Sequence, residues 1–510
     1  MKARDRYNQL TVGRRQFLDT AVECSRLTLP YLIQDDLTSR PTHQKLFTPW
    51  QSVGSKSVVN LAAKLMLALI PPQTSFFKLQ VRDDKLGEEF PREVKSELDL
   101  SFAKMERMVM DYVNASSDRV VVHQALKHLI VSGNALIFMG KDGLKNFPLN
   151  RFVVNRDGNG NVCEIVTKEL ISRKILGMDL PESLPNSPGD DGYKTGSDDQ
   201  DVEVYTYVRL DDNGRWVWHQ EAFDKILPNS RSTAPKNTSP WLVLRFNTVD
   251  GEDYGRGRVE EFLGDIRSLE GLSQAIVEGS AAAAKVVFLV SPSSTTKPKT
   301  IADAGNGAIV QGRPDDVGVI QVGKTADFRT AAEQMQTLER RISEAFLVLQ
   351  VRQSERTTAE EVRLTQMELE QQLGGLFSLL TVEFLIPYLN RTLHILQRTN
   401  QIPKLPKDIV RPQIVAGVNA IGRGQDQQSL VQFAQTLAQT MGPEIMAKFL
   451  DPGEYVKRLA AAQGIDVLNL VKTPETMAQE RQQQQQAMQQ QEMLKQAGQF
   501  ANSPMMDPSK

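Results

Sequence analysis

The sequence predicts an α+β protein that is mainly α-helical, and three observations support this class. Apolar residues recur at spacings of three and four through the first 133 residues and again after residue 259. Between these regions, short apolar segments are separated by Gly, Asn and Asp turns. The chain of 510 residues is 40% apolar and 24% charged, which is ordinary for a globular protein with a sizeable core.

Four helices are expected in the first quarter of the chain. The apolar periodicity places them at 1–33, 50–69, 91–114 and 117–133. Pro30 ends or kinks the first helix, and Pro71 stops the second. Ser117 is a suitable N-cap for the fourth helix, and Gly133 is a suitable C-terminal residue.

A strand-rich region follows. The predicted strands are 135–139, 152–155, 162–168, 202–210, 215–220 and 241–246. Asp157–Asn161 and Asp211–Gly214 predict hairpin turns, because Gly and Asn tolerate positive φ angles.

The chain then returns to helical periodicity. The predicted elements are a helix at 259–284, short strands at 285–290, 308–311 and 318–322, a strongly periodic helix at 327–350, a long helix at 358–398 and shorter helices within 403–475. Thr358–Glu361 is a capping box, and Gly374, Gly375 and Pro387 are expected bend points in the long helix. From Gln479 to Gln499, 11 of 21 residues are Gln, so this tail is expected to be disordered or a marginal helix.

Charge and cysteine content exclude several classes of protein. Lys and Arg number 60 against 62 Asp and Glu, so binding of nucleic acid by bulk positive charge is excluded, while local basic surfaces remain open. Cys24 and Cys163 are too few for a disulfide framework or a four-thiolate zinc site, and both are expected to be buried. With no secretory signal and no apolar run of membrane length, we expect a soluble intracellular product, or one that is assembled into a larger structure inside a cell.

One motif suggests nucleotide binding. Gly318–Thr325 fits the phosphate-loop pattern G-x-x-x-x-G-K-[ST], and a predicted helix follows it. Val319, Ile320 and Val322 favour an extended strand over a cradle of converging N–H groups. A strand ending in a Gly turn is therefore favoured, and an NTPase using Gly323, Lys324 and Thr325 stays open as the alternative. We find no catalytic or metal-ligand motif elsewhere, so no enzyme, cofactor or metal is expected.

Arginines flank the junction between the two long helices. Arg340, Arg341, Arg352 and Arg356 lie on either side of this break. They are either solvated helix ends or a surface that meets a polyanion through its phosphates without reading bases.

Three segments resemble the portal proteins, or head-to-tail connectors, of short-tailed bacteriophages of the podovirus type. Thr48–Leu69 is similar to the N-terminal signature of that family. Gly251–Gly257 with Glu260–Leu263 resembles the start of its first channel helix, and Arg356–Val362 resembles the start of its helix after the channel loop. The resemblance covers roughly residues 5–475.

The resemblance implies a homo-dodecameric ring at one capsid vertex, with the portal fold of wing, stem, clip and crown. The implied parts are 1–256 wing, 257–284 first stem helix, 285–326 clip, 327–349 second stem helix, 350–357 channel loop, 358–400 long wing helix, 404–475 crown and 476–510 tail. Arg352, Gln353, Ser354 and Arg356 would face DNA from the channel loop, with Arg340 and Arg341 as candidate basic residues of the channel.

The resemblance also implies a function and a set of partners. Double-stranded DNA would pass through the ring during packaging and ejection without sequence-specific contacts. The other partners would be the terminase large subunit, tail adaptor and tail tube proteins, and capsid, scaffolding and internal core proteins. The protein would be located at the head–tail junction of the virion, after assembly in the host cytoplasm. A scaffold or adaptor with no channel is a third interpretation of the same helices and Gln-rich tail.

Overall fold

The computed structural model describes most of the chain up to residue 441. The described residues are 2–34, 46–71, 75–81, 92–172, 201–283, 287–293, 297–305, 309, 311, 313, 317–320, 325–348, 375–403, 410–414, 423–441 and 455. They fall in two compact units, Met1–Gly417 and Val418–Lys510. The predicted channel loop 350–357 and the Gln-rich tail lie outside the described residues.

Ten α-helices are described. In chain order they are α1 Ala3–Leu27, α2 Val53–Leu69, α3 Arg92–Ala115, α4 Asp118–Ser132, α5 Arg258–Glu261, α6 Leu263–Ala283, α7 Pro298–Ala302, α8 Thr325–Ala345, α9 Ile386–Arg398 and α10 Arg423–Met441. A helical stretch at 375–380 and a π-helical turn at Thr381–Leu385 lead into α9.

Thirteen β-strands are described. They are β1 Phe77–Val81, β2 Asn134–Gly140, β3 Gly143–Phe147, β4 Phe152–Arg156, β5 Val162–Ser172, β6 Asp201–Leu210, β7 Arg215–Ala222, β8 Lys225–Ile226, β9 Ser232–Pro235, β10 Trp241–Arg245, β11 Val287–Val290, β12 Val317–Ile320 and β13 Val410–Ile414. All of their pairings are antiparallel.

The four N-terminal helices are confirmed, and they contribute to the largest core cluster of the first unit. Leu61, Leu65 and Leu69 of α2 are essentially inaccessible, and each such leucine contributes about 1.5–3 kcal/mol by burial. Gly133 ends α4 with a φ of 73°, as expected for a left-handed C-terminal residue. Ser117 precedes α4 but makes no side-chain capping bond; its backbone carbonyl accepts the amides of Val120 and Val121.

Two antiparallel sheets form the strand-rich region. The smaller sheet has the order β10-β2-β3, and the larger has β4-β5-β6-β7-β8 with β9 also paired to β7. Both predicted hairpin turns are confirmed: Gly160 and Gly214 have φ angles of 79° and 68°. Asp157 Oδ1 accepts the amides of Asn159 and Asn161, which fixes the first turn.

Several elements differ from the expectation. The predicted helix 259–284 is broken at Phe262, between α5 and α6. Neither Ile309 nor Gln311 lies in a strand, and α7 was not predicted. Within 403–475, where only helices were expected, β13 pairs with β1. Its Pro412 is tolerated because β13 has a single partner among the described strands.

The bend expected near Pro387 takes the form of a π-helical turn. The Ile386 amide donates to the Thr381 carbonyl, five residues back. Proline has no N–H and its ring crowds the preceding turn, so a wider turn before Pro387 accommodates it. The positions Gly374 and Thr358–Glu361 lie outside the described residues.

The two cysteines differ in burial. Cys24 is fully buried, as expected, and burial raises the pKa of its thiol to about 12. Cys163 is only half-buried, so the expectation of a buried side chain is wrong for it; it is the second residue of β5 and follows the exposed hairpin turn that ends at Asn161. No described helix is both long enough and apolar enough to span a membrane.

Candidate functional site

Helices α6 and α8 form an antiparallel hairpin with a strand pair beyond their far ends. Arg258, just before α6, donates to the Ala345 carbonyl at the end of α8, with 3.2 Å between nitrogen and oxygen. Further along, Ser273 Oγ lies 3.6 Å from Met335 Sδ. Beyond the helices, β11 and β12 pair from Val287↔Ile320 to Val290↔Val317. We call α6, α8, β11 and β12 the stem hairpin; the 21 residues of α6 extend about 31 Å.

Full burial in the stem hairpin is confined to its base, while Met335 and Leu338 of α8 are partly buried against the core. On α6 the buried side chains end at Ser273, and on α8 they begin at Ile342. None of the described side chains in 274–281 or 329–341 is fully buried, and Val277 is 51% exposed. The outer half of this hairpin therefore gains little stability from its own subunit, since burial of apolar surface is the main stabilising term.

The two stem helices carry a weak negative charge. Together they contain seven acidic and four basic residues. Arg340 and Arg341 are exposed on α8, whereas Arg329 pairs with Glu333 one turn away, at 3.8 Å. The structure therefore places two of the predicted basic residues on the surface of the stem; Arg352, Gln353, Ser354 and Arg356 lie outside the described residues.

The Gly251–Gly257 segment joins the base of the stem hairpin to α4 and β2. A Cβ at Gly255 would lie 2.7 Å from the Gly133 carbonyl oxygen, and one at Gly257 would lie 2.7 Å from that of Val131. The Asn134 side chain closes this contact, donating to the Gly255 carbonyl at 2.7 Å and accepting its amide at 2.8 Å. These backbones touch at distances that exclude any larger residue, so the glycines fix where the stem begins.

Tyr254 and Arg256 of this segment are also fixed by hydrogen bonds. The buried Tyr254 hydroxyl accepts the Val154 amide at 3.1 Å, and burial raises the pKa of Tyr254. Arg256 donates to Glu252 and Glu260, four residues before and after it in the sequence, and these bonds raise its pKa. Sequence reasoning singled out this motif; the structure shows that it forms a rigid connection between sheet and stem.

The C-terminal end of α8 contacts α2. Phe346 is fully buried and packs edge-on against Phe262, with 5.9 Å between ring centroids. The Leu347 carbonyl accepts hydrogen bonds from Lys64 and Asn60 of α2. Sequence reasoning missed this contact, although a signal exists: Lys64 interrupts the apolar run of α2.

On the far side of the undescribed residues 349–374, a buried ionic cluster holds the chain to the sheets. Glu383 accepts two hydrogen bonds from the Arg245 guanidinium, at 2.9 and 2.7 Å, and one from its amide at 2.8 Å. Arg156 lies 3.8 Å from the same carboxylate. Burial lowers the pKa of Arg156 to about 10, and the charge of Glu383 acts in the opposite direction. This cluster was not predicted; its signal is a lone Glu among apolar residues.

Comparison with known proteins identifies the family. A family model described as bacteriophage head to tail connecting protein matches residues 1–469. The chain belongs to this family. It is 36% identical to the portal protein of Escherichia phage T7 over 492 residues, which is 94% of this chain and 90% of that protein. It is 37% identical to the portal protein of Enterobacteria phage T3 over 482 residues (93% and 88%), and 31% identical to that of Enterobacteria phage SP6 over 486 residues (94% and 91%).

The predicted resemblance to portal proteins of short-tailed phages is therefore confirmed. Among solved structures, the chain is similar to one described as the neck of a native GTA particle computed with C12 symmetry, with 11% identity and a TM-score of 0.35 over 81% of this chain and 90% of that one.

The alternative of a phosphate loop finds no support in this family or in the local geometry. Gly318, the first glycine of the pattern, lies inside β12 and pairs with Leu289 of β11. A strand ladder directs its N–H groups sideways to the neighbouring strand, whereas a phosphate cradle requires them to converge. Gly323 and Lys324 lie outside the described residues, and Thr325 is the first residue of α8. No group of three or more metal-ligating side chains occurs among the described residues.

Proposed function

We propose that this head-to-tail connecting protein is the portal subunit of a short-tailed phage. Identical copies, twelve in number, close into a ring at one capsid vertex, and double-stranded DNA passes through the ring during packaging and ejection. The observation that carries the proposal, beside family membership, is the stem hairpin, whose outer half has no fully buried described side chain. Such a hairpin requires neighbours, and a closed ring supplies one on each side of every copy.

The two stem helices expose surfaces of different character, which suits contacts between different faces of neighbouring subunits. The outer part of α6 exposes small and apolar residues, including Ala275, Val277 and Ala281. The exposed side chains of α8 are mainly polar, including Glu333 and Arg340. A ring that closes by rotation joins one face of each subunit to a different face of the next. We therefore propose that α6 of one copy packs beside α8 of its neighbour.

The charge of the stem hairpin suits DNA that slides. A densely basic lining would bind phosphates tightly and hold the duplex in place. The stem helices are weakly acidic, and their exposed arginines are few. In our proposal Arg340 and Arg341, with Arg352, Gln353, Ser354 and Arg356 of the channel loop, contact phosphates without reading bases.

The remaining parts keep the boundaries expected from the family resemblance. The clip, 285–326, would dock the terminase large subunit and later the tail adaptor and tail tube proteins. The wing would face capsid, scaffolding and internal core proteins, after assembly in the host cytoplasm. The β11–β12 pair supports the first assignment, because it lies beyond the far ends of α6 and α8 and Leu289 is 52% exposed.

Electron microscopy of the purified chain tests the proposal. We expect rings of twelve copies with an axial opening wide enough for a double helix. Monomers, filaments or rings without such an opening would overturn it and would favour an adaptor with no channel. The NTPase alternative is tested separately by Lys324→Ala: we expect background nucleotide binding in both the original chain and the variant.

A further inference from the structure

The end of α8 is held by three side chains from other parts of the chain. Arg258 donates to the Ala345 carbonyl, and Asn60 and Lys64 both donate to the Leu347 carbonyl, with 3.5 Å between Asn60 Nδ2 and the oxygen. Leu347 has a φ of 57°, the left-handed conformation in which a helix commonly ends. The Ala345 carbonyl, the last of α8, lacks a partner within the helix, and Arg258 at the start of α5 supplies one. The Leu347 carbonyl lies two residues beyond the helix end and is bound by side chains of α2.

Two backbone hydrogen bonds within this turn also fix its conformation. The Leu347 amide donates to the Glu344 carbonyl at 3.0 Å, and the Val348 amide donates to that of Ser343 at 2.7 Å. The Phe346 ring, one residue before Leu347, is fully buried and packs against Phe262. The direction in which the chain leaves α8 is therefore determined at Leu347 and Val348, immediately before the predicted channel loop.

Lys64 is an unusual residue for its position. It lies on a helix whose neighbouring side chains Leu61 and Leu65 are completely buried. Burial lowers the pKa of Lys64, so its placement has a cost. A cation at the C-terminal end of a helix is favourable, because the helix dipole and the free carbonyls concentrate negative charge there. The contact with Leu347 accounts for a lysine within this apolar run.

We propose that Lys64, assisted by Asn60, is a positioning residue that fixes the exit of the chain from the second stem helix. This inference rests on the proposed portal function and specifies it further. The N-terminal segment that resembles the portal family thus sets the starting point of the loop that faces DNA. A ring that lacks this contact still forms, but its channel loops start from a mobile point and retain packaged DNA less well.

Hydrogen exchange of the assembled full-length chain tests the contact itself. Lys64→Met removes the charge and keeps most of the apolar stem, Lys64→Arg keeps a cationic donor, and Lys56→Met alters an exposed lysine on the same helix. We expect about tenfold faster exchange at Leu347 and Val348 in Lys64→Met, since a charged hydrogen bond holds this turn. Exchange close to that of the original chain is expected in Lys64→Arg and Lys56→Met. Unchanged exchange in Lys64→Met would overturn the contact.

DNA retention in assembled particles tests the positioning role. We expect particles with Lys64→Met to contain rings but to lose packaged DNA several-fold faster than those with Lys64→Arg or Lys56→Met. Faster exchange with normal retention would overturn the positioning role and leave Lys64 as a helix cap only. Asn60→Ala provides a second, milder variant should Lys64→Met fail to fold, and it is expected to shift exchange and retention in the same direction. Absence of a channel in the unmodified ring would overturn the proposed function, while the exchange result would still decide the contact.

Discussion

Replacing Glu383 by Gln is expected to destabilise the first unit strongly. Its carboxylate balances the positive charge of Arg245 through direct hydrogen bonds and that of Arg156 at a distance of 3.8 Å. The side chains of Arg156, Arg245 and Glu383 are only 4, 11 and 12% exposed. The amide keeps the shape but removes the negative charge between two buried cations. Breaking a buried ion pair by removing one partner costs about 3–5 kcal/mol. Glu333→Gln is the matched control, because its pair with Arg329 is largely exposed and is worth about 0–1 kcal/mol.

The assay is urea unfolding followed by tryptophan fluorescence, with Trp241 on the same strand as Arg245. With a slope of about 3 kcal/mol per M, the expected loss lowers the midpoint by about 1–1.7 M for Glu383→Gln. The control should move it by less than about 0.3 M. Equal shifts in the two variants would refute the reasoning, since they would mean that burial of the cluster contributes nothing.

Three further predictions concern the stem, the loop and a buried histidine. Gly255→Ala should destabilise the chain, because its Cβ would lie 2.7 Å from a backbone carbonyl oxygen. Gly271→Ala lies on an open helix surface and should stabilise the chain by about 0.5–1 kcal/mol. Thermal unfolding measures both effects. Replacing Arg352 and Arg356 together by Ala should impair DNA retention in particles while rings stay intact by microscopy, and normal retention would count against the loop assignment. Burial lowers the pKa of His128 to about 4, so its contribution to stability is complete above about pH 6.5 and falls as the pH drops towards 4. Between pH 7 and pH 5 the free energy of unfolding should fall by roughly 2 kcal/mol, as measured by unfolding at each pH. This loss should be absent in His128→Leu.

Local signals predicted the elements whose causes lie within a few residues. Gly133 ends α4, and Asp157 with Gly160 turns the chain between β4 and β5, because one residue type in one conformation is sufficient in each case. The stem hairpin was also foreseen as two helices separated by strand-like pieces. Its boundaries shifted by only a few residues, with one break at Phe262.

The contacts that hold these elements together could not be predicted in the same way. β1 pairs with β13 although more than 300 residues separate them, and Arg245 pairs with Glu383 across 138 positions. Each partner alone shows only an anomaly, such as a proline in a short strand or a charge in an apolar run. A charged residue in an apolar run indicates that a buried polar group needs a partner. It does not say which of many residues supplies it, because spatial neighbours are set by the whole fold.

The residues on either side of 349–374 are anchored differently, and this difference has a consequence for the proposed channel. At Leu347 the chain is held to α2 by two side-chain hydrogen bonds to one carbonyl. At Glu383 it is held to the sheets by a buried charge cluster, which is the stronger of the two kinds of contact. A force on the chain between them should therefore break the hydrogen bonds at Leu347 before it breaks the charge cluster at Glu383. Because Leu347 adjoins the stem, adjustment to passing DNA would begin at α8 and leave the sheets undisturbed.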